Sequence, residues 1–167
     1  SEGGVNFHGD DLRKYSTKDL RQLRKDMQIV FQDPFGSLSP RMTCAQIIAE
    51  GVAIHKIDPD RDPRELVAEV MTEVGLDPVA MDRYPHEFSG GQRQRISIAR
   101  SLALKPDLLL CDEPVSALDV SVQAQILNLM KDLQQELGLT YLFISHNLAV
   151  VDYVSDEIAV MCGGRLV

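Results

Sequence analysis

Apolar residues recur along this chain in two rhythms. From Leu108 onward, short unbroken apolar runs alternate with stretches where apolar residues return every three or four positions. That alternation predicts strands and helices taking turns in a parallel α/β sheet. Leu108-Leu109-Leu110-Cys111 and Tyr141-Leu142-Phe143-Ile144 read as strands covered on both faces. The clearest helix runs between them, from Ser121 to Leu137. Val122, Ile126, Leu129, Leu133 and Leu137 form its core stripe, and Gly138 closes it. Further on, Asn147 to Val154 predicts a helix and Glu157 to Met161 a strand. Gly163-Gly164 predicts a turn into one more strand.

The first half has a different texture. Ser1 to Asp10 alternates around Val5 and Phe7 with flanking glycines and reads as the end of a small sheet. A charged stretch follows, with a helix predicted over Ser16 to Leu23. Met27-Gln28-Ile29-Val30-Phe31 is a short apolar strand, and Gln32 to Ser37 has the composition of a loop. Between Thr43 and Glu87 there is no good strand. Ala45 to Ile54 and Pro63 to Val74 are helical, the second with proline in its first turn and Gly75 as its stop. Asp77-Pro78 begins another short turn or helix. Phe88-Ser89-Gly90-Gly91-Gln92 then opens a helix to about Ala103, with Ser89 as candidate cap and Ile96, Ala99 and Leu102 on one face.

Composition narrows the class without deciding it. The 167 residues are 44% hydrophobic and 25% charged, enough for one domain with a real core. The net charge of -8 disfavours non-specific contact with phosphate backbones, so no nucleic-acid partner is expected. Three widely spaced cysteines form no CxxC or Cys/His metal pattern, which fits a reduced compartment. Cys111, inside an apolar run, reads as a small buried hydrophobe. No apolar stretch is long enough to span a bilayer, so a membrane role would come through a partner.

In parallel α/β sheets, ligands bind beyond the carboxyl ends of the strands. Gln32, Asp112-Glu113 and His146 all lie at predicted strand ends. A carboxylate such as Asp112 can hold Mg²⁺, a hard ion that keeps several waters. Glu113, one residue on, is placed to orient or deprotonate an attacking water; Asp-Glu-Pro could equally begin an ordinary turn. Ser89-Gly90-Gly91-Gln92 offers backbone N–H groups at a helix start, a plausible phosphate cradle or a plain capped helix. His146 could hydrogen-bond a terminal phosphate or be structural. Ser145 lacks the GxSxG elbow of a hydrolase nucleophile. Arg93 and Arg95 suit a solvated or ion-paired face better than an RNA patch.

Taken together, these motifs resemble the ATP-binding-cassette ATPases. Phe88-Ser89-Gly90-Gly91-Gln92 is similar to their signature motif, and Leu108 to Glu113 to their Walker B strand and catalytic glutamate. Ser116-Ala117-Leu118-Asp119 is similar to the D-loop, His146 to the switch histidine and Gln32 to the Q-loop glutamine. Phe31 to Arg41, Arg83 to Phe88 and Tyr141 to His146 look closest to importers of di- and oligopeptides, nickel or glutathione. The resemblance implies a P-loop NTPase-like parallel core with an inserted helical subdomain. Its divisions would be 1–26, the end of an N-terminal β-subdomain; 27–42, core strand and Q-loop; 43–87, helical subdomain; and 88–167, signature helix and catalytic core.

The resemblance also implies the chemistry. ATP and Mg²⁺ are the expected cofactors, with Glu113 as general base, His146 on the γ-phosphate, and Asp112 and Gln32 serving the metal. Ser89, Gly90, Gly91 and Gln92, with Asp119, would act across the interface on the site of a second cassette domain, in a homo- or heterodimer. Integral membrane permease subunits, and indirectly a solute-binding protein, complete the expected assembly at the cytoplasmic face of the inner membrane. A soluble cassette ATPase working on ribosomes or DNA uses the same motifs and is the alternative; a non-catalytic assembly module is the third reading.

One family element is not in the sequence. A P-loop reads Gly-x-x-x-x-Gly-Lys-Ser/Thr, its N–H groups and lysine holding phosphates. None of the eleven glycines is followed by lysine. The expectation is that this loop and an adenine-stacking aromatic precede Ser1 in a longer protein. These 167 residues alone would then bind ATP weakly, turn none over, and expose apolar surface where the P-loop strand would pack.

Overall fold

The computed structural model describes residues 3–167; the first two residues of the expected opening sheet, Ser1 and Glu2, lie outside it. A short antiparallel hairpin, β1 (Asn6–Phe7) with β2 (Asp10–Asp11), opens the chain. Helix α1 (Thr17–Asp26) starts on a reciprocal cap. Asp19 N–H donates to Ser16 Oγ at 3.3 Å, and Ser16 N–H donates back to Asp19 Oδ2 at 3.1 Å. It runs three residues past the expected Leu23 end and passes directly into β3 (Met27–Val30).

Strand β3 stops one residue before the predicted Phe31, which is exposed. The loop expected over 32–37 contains a helical turn, α2 (Pro34–Ser37). Asp33 caps it by accepting from Phe35 N–H at 2.8 Å, and Pro34 occupies its first position, where a missing N–H costs nothing. Helices α3 (Cys44–His55) and α4 (Pro63–Glu73) follow, with 3-10 turns at Pro78–Asp82 and Pro85–Glu87. Thr43 and Gln46 form the capping box of α3, and Gly75 adopts φ +71 just past α4.

Helix α5 (Gly90–Leu102) is the hub. It touches α2, α3, α4, β3 and helix α6 (Val120–Leu137). Such a central helix must be buried nearly all round, and Ile96, Ser97, Ile98 and Ala99 are fully so. Its polar members Gln94 and Ser97 are buried without a hydrogen-bond partner among the described residues.

The core sheet is parallel, in the order β3, β4 (Leu108–Asp112), β5 (Thr140–Ile144). Val30 lies opposite Cys111, and Asp112 opposite Ile144. Leu109 and Cys111 are fully buried, and burial pushes the Cys111 thiol up to about 12, the inert hydrophobe expected of it. β5 differs from expectation: it alternates rather than being covered on both faces, leaving Leu142 52% and Ile144 45% exposed. Among the described residues it pairs with β4 alone.

In α6 the buried set is Ile126, Leu127, Met130 and Leu133, while the predicted stripe member Leu137 is 47% exposed. Leu127 and Met130 widen the predicted stripe, where α5 and α7 (Leu148–Val154) pack on the helix, while its last turn stays open; Tyr141 donates its hydroxyl to Met130 O at 2.8 Å. The strand predicted over Glu157–Met161 does not form. Among the described residues only Met161–Cys162 (β6) pairs as a strand, antiparallel to Arg165–Leu166 (β7), with one further bond from Val167 N–H to Val160 O at 2.9 Å.

Candidate functional site

The register of the three parallel strands places the polar strand-end residues at one rim. Val30 and Cys111 are paired, as are Asp112 and Ile144, so the two residues that follow each strand emerge side by side. Gln32 follows β3, Glu113 follows β4 and His146 follows β5. Parallel strands with matched ends do this automatically, because all their carboxyl ends point the same way.

Glu113 is the centre of the cluster. His146 Nδ1 lies 3.0 Å from Glu113 Oε1, and Gln32 Nε2 donates to Glu113 Oε2 at 3.3 Å. Both carboxylate oxygens are thus engaged by side chains from the two flanking strands. The Glu113 backbone is held equally firmly: its N–H donates to Ile144 O at 2.9 Å, and Ser116 Oγ donates to its carbonyl at 3.1 Å. Its φ is +46, a left-handed conformation that costs a non-glycine residue about 1 kcal/mol or more. Pro114 and Val115, buried directly behind it, hold the turn in place.

The hydrogen bond with His146 is the largest influence holding the Glu113 carboxyl below the usual glutamate range, against a smaller opposing effect of desolvation. The group therefore stays ionised at neutral pH. Its side chain is 25% exposed and that of His146 73%, so the pair lies open to an incoming ligand.

Asp112 ends β4 half-buried beside Glu113. Among the described residues no group of three or more His, Cys, Asp or Glu could hold a metal unaided. Mg²⁺ takes one or two protein oxygens and fills its octahedron with phosphate and water, so the residue type at Asp112, a single strand-end carboxylate, is compatible with it.

The glycine segment stands at the start of α5. Ser89 Oγ accepts from Gln92 N–H at 3.3 Å and Gln92 Oε1 accepts from Ser89 N–H at 2.9 Å, the expected Ser89 cap in reciprocal form. Gln92 is therefore committed to the cap. Gly91 is a close approach, since a Cβ there would lie 2.5 Å from Val122 Cγ1 and force that side chain to shift; one at Gly90 would sit 3.5 Å from Leu118. The segment thus packs on the Leu118–Val122 turn that contains Asp119, which heads α6 without a side-chain cap bond. No side-chain bond joins Ser89–Gln92 to Glu113 among the described residues, so the structure forms two groups rather than one.

The loop after Gln32 is fastened to the same helix. Arg93 stacks over the Phe35 ring at 3.8 Å, and Arg100 Nη1 donates to Ser37 O at 2.7 Å. Sequence reasoning passed over this link, reading Arg93 only as part of a solvated or paired face; the ring in the neighbouring loop was the signal available for it.

A parallel three-stranded core, a carboxylate at the end of its middle strand and a glycine-opened helix define a nucleotide-handling α/β domain. The chain belongs to the ABC transporter family, whose profile matches residues 1–116. It is 54% identical to the oligopeptide transport ATP-binding protein OppF of Bacillus subtilis, across 100% of this chain and 55% of that protein. It is 52% identical to the peptidoglycan transport ATP-binding protein YejF of Agrobacterium fabrum, across 100% of this chain and 31% of that one. Among solved structures it resembles cbiO1 of Clostridium perfringens, part of the transporter complex cbiONQ, with TM-score 0.88, 31% identity, and coverage of 100% of this chain and 65% of that one. A dimeric ATP-binding cassette in a post-hydrolysis state with ADP and Pi matches at TM-score 0.77 and 27% identity, over 92% of this chain and 67% of that one. The chain spans about half the length of the first oligopeptide and peptide import relatives, 55% and 52%.

Proposed function

We propose that this chain is the Q-loop-to-switch-histidine part of an ATP-hydrolysing subunit that powers import of a small peptide-like solute. The observation that carries the reading is Glu113, ionised and held by Gln32 and His146 at the shared strand rim. Its support on the transport side is relatives named for oligopeptide and peptide import. Those names favour transport over action on ribosomes or DNA.

In this reading Glu113 takes a proton from the attacking water, and His146 donates a ring N–H toward the γ-phosphate. Each Glu113 oxygen accepts one hydrogen bond at rest and keeps a lone pair with which to take the proton. Asp112 and Gln32 would hold Mg²⁺, whose role is to neutralise charge on the phosphates. No Gly-x-x-x-x-Gly-Lys-Ser/Thr loop is present in this sequence, so none of these residues is assigned the gripping of the phosphates. Ser89, Gly90 and Gly91, already aligned by their cap, would present N–H groups to the nucleotide of a second cassette, with Asp119 near the joint. The 43–87 block would move with α5, and the Phe35 loop, stacked on Arg93, would meet the permease. No helix among the described residues is long and apolar enough to cross a membrane.

The test is reconstitution. The full-length parent subunit, joined to its permease in vesicles with a peptide-binding protein, should hydrolyse ATP faster when peptide is supplied and should accumulate that peptide. Hydrolysis indifferent to peptide, with the subunit co-purifying on ribosomes or DNA, overturns the transport reading.

A further inference from the structure

A cavity of about 330 Å³ opens at the opposite end of the sheet from Glu113, where β4 and β5 begin. Its floor is apolar: Leu66 and Val70 come from α4, Leu102 ends α5, and Leu139 precedes β5. All four are at most 7% exposed. The rim is charged, and its cations are already paired. Arg61 Nη1 is 2.6 Å from Glu69 Oε2, and Lys105 Nζ is 2.7 Å from Asp58 Oδ2. Glu73 has no cationic partner in an ion pair among the described residues; Glu69 and Glu136 add negative charge around it, opposed by the smaller influence of Lys105, which is itself bonded to Asp58.

We propose that this groove binds an organic monocation with a short apolar body, its ammonium at Glu73 and its carbons on Leu66, Val70, Leu102 and Leu139. An anion would meet the carboxylate of Glu73, while the rim cations Arg61 and Lys105 are engaged by Glu69 and Asp58. A fully polar solute would leave the leucine and valine floor unmatched, and a bare metal ion would find one uncommitted carboxylate where it needs several oxygens. Only a molecule with both characters answers the groove. The occupant would touch α4, the end of α5 and the start of β5 together. The proposal rests on the groove alone and stands apart from the chemistry at Glu113.

The probe is n-hexylammonium, titrated into the ¹⁵N-labelled full chain at about 0.15 M salt, with hexanoate and n-hexanol as controls. Saturable amide shifts should cluster at residues 66–73, 102–107 and 137–139, with affinity in the millimolar range expected of so small a ligand. Glu73→Gln keeps the shape, lies on the exposed rim, and should weaken hexylammonium about fivefold, the effect of one solvent-screened ion pair. Hexanol should bind about as weakly to the unaltered chain as hexylammonium binds to the variant, and hexanoate more weakly still. Scattered, unsaturable shifts overturn the proposal, as does equal binding of hexanoate or equal binding of hexylammonium to Glu73→Gln.

Discussion

His146 Nδ1 and Glu113 Oε1 lie 3.0 Å apart although 33 positions separate the two residues. The contact exists because β4 and β5 run parallel with Asp112 opposite Ile144, which brings the residues beyond each strand to a common edge.

The hydrogen bond with His146 is the main reason the Glu113 carboxyl sits below its ordinary range. In His146→Ala that support is gone, so the Glu113 midpoint should move up toward the ordinary glutamate value. Carboxyl ¹³C titration by NMR reads it directly. An unmoved or lower midpoint would show that another group sets the ionisation.

Gly91 is a packing constraint rather than a flexible hinge. An added Cβ would collide with Val122 Cγ1, and valine on a helix has essentially one comfortable rotamer. Gly91→Ala should therefore cost about 1–2 kcal/mol by overpacking, despite alanine's better helix propensity. The double variant with Val122→Ala should recover part of that loss. Denaturant midpoints measure both, and a Gly91→Ala variant as stable as the parent would contradict the contact.

Gln94 is buried with neither amide atom partnered among the described residues. Each unpartnered buried polar group costs about 1–3 kcal/mol. Gln94→Met, similar in shape and apolar, should raise the thermal midpoint. A lowered midpoint would mean that the amide is satisfied by water inside the core.

Glu73 sets a pH dependence of the opposite sense to Glu113. Desolvation raises its folded-state carboxyl above the ordinary value of 4.5, and Glu69 and Glu136 push the same way. Folding therefore disfavours the ionised form, and the penalty grows as pH rises through the raised value and vanishes below about 4.5. Glu73→Gln should be more stable than the parent at pH 7, by about 0.5 kcal/mol given how exposed and screened the group is. The difference should close in acid. A difference that persists unchanged at low pH would contradict the assignment.

The rim was legible in the sequence because each of its residues marks a sharp change from apolar to polar. Asp112 ends four apolar residues, and His146 follows four more and a serine. Ser89 and Gln92 carried the spacing of a reciprocal cap. The open face of β5 was not legible, since an unbroken apolar run has no period to say which side is covered. The short turn at Pro34–Ser37 was signalled by Asp33 and Pro34 but is too brief for helical periodicity to register. Leu137 was misplaced because burial depends on which neighbours reach the helix end, and propensity does not encode that. The left-handed backbone of Glu113 likewise follows from tertiary hydrogen bonds rather than from residue type.

Steady-state ATP hydrolysis by Glu113→Gln in the full-length parent subunit bears most directly on the account. Removing a general base should lower the rate about 10²–10⁴-fold while ATP binding persists and the subunit accumulates as an ATP-bound dimer. Hydrolysis at the parental rate would show that Glu113 is not the base, and with it the functional reading of the Gln32, Glu113 and His146 rim would fall.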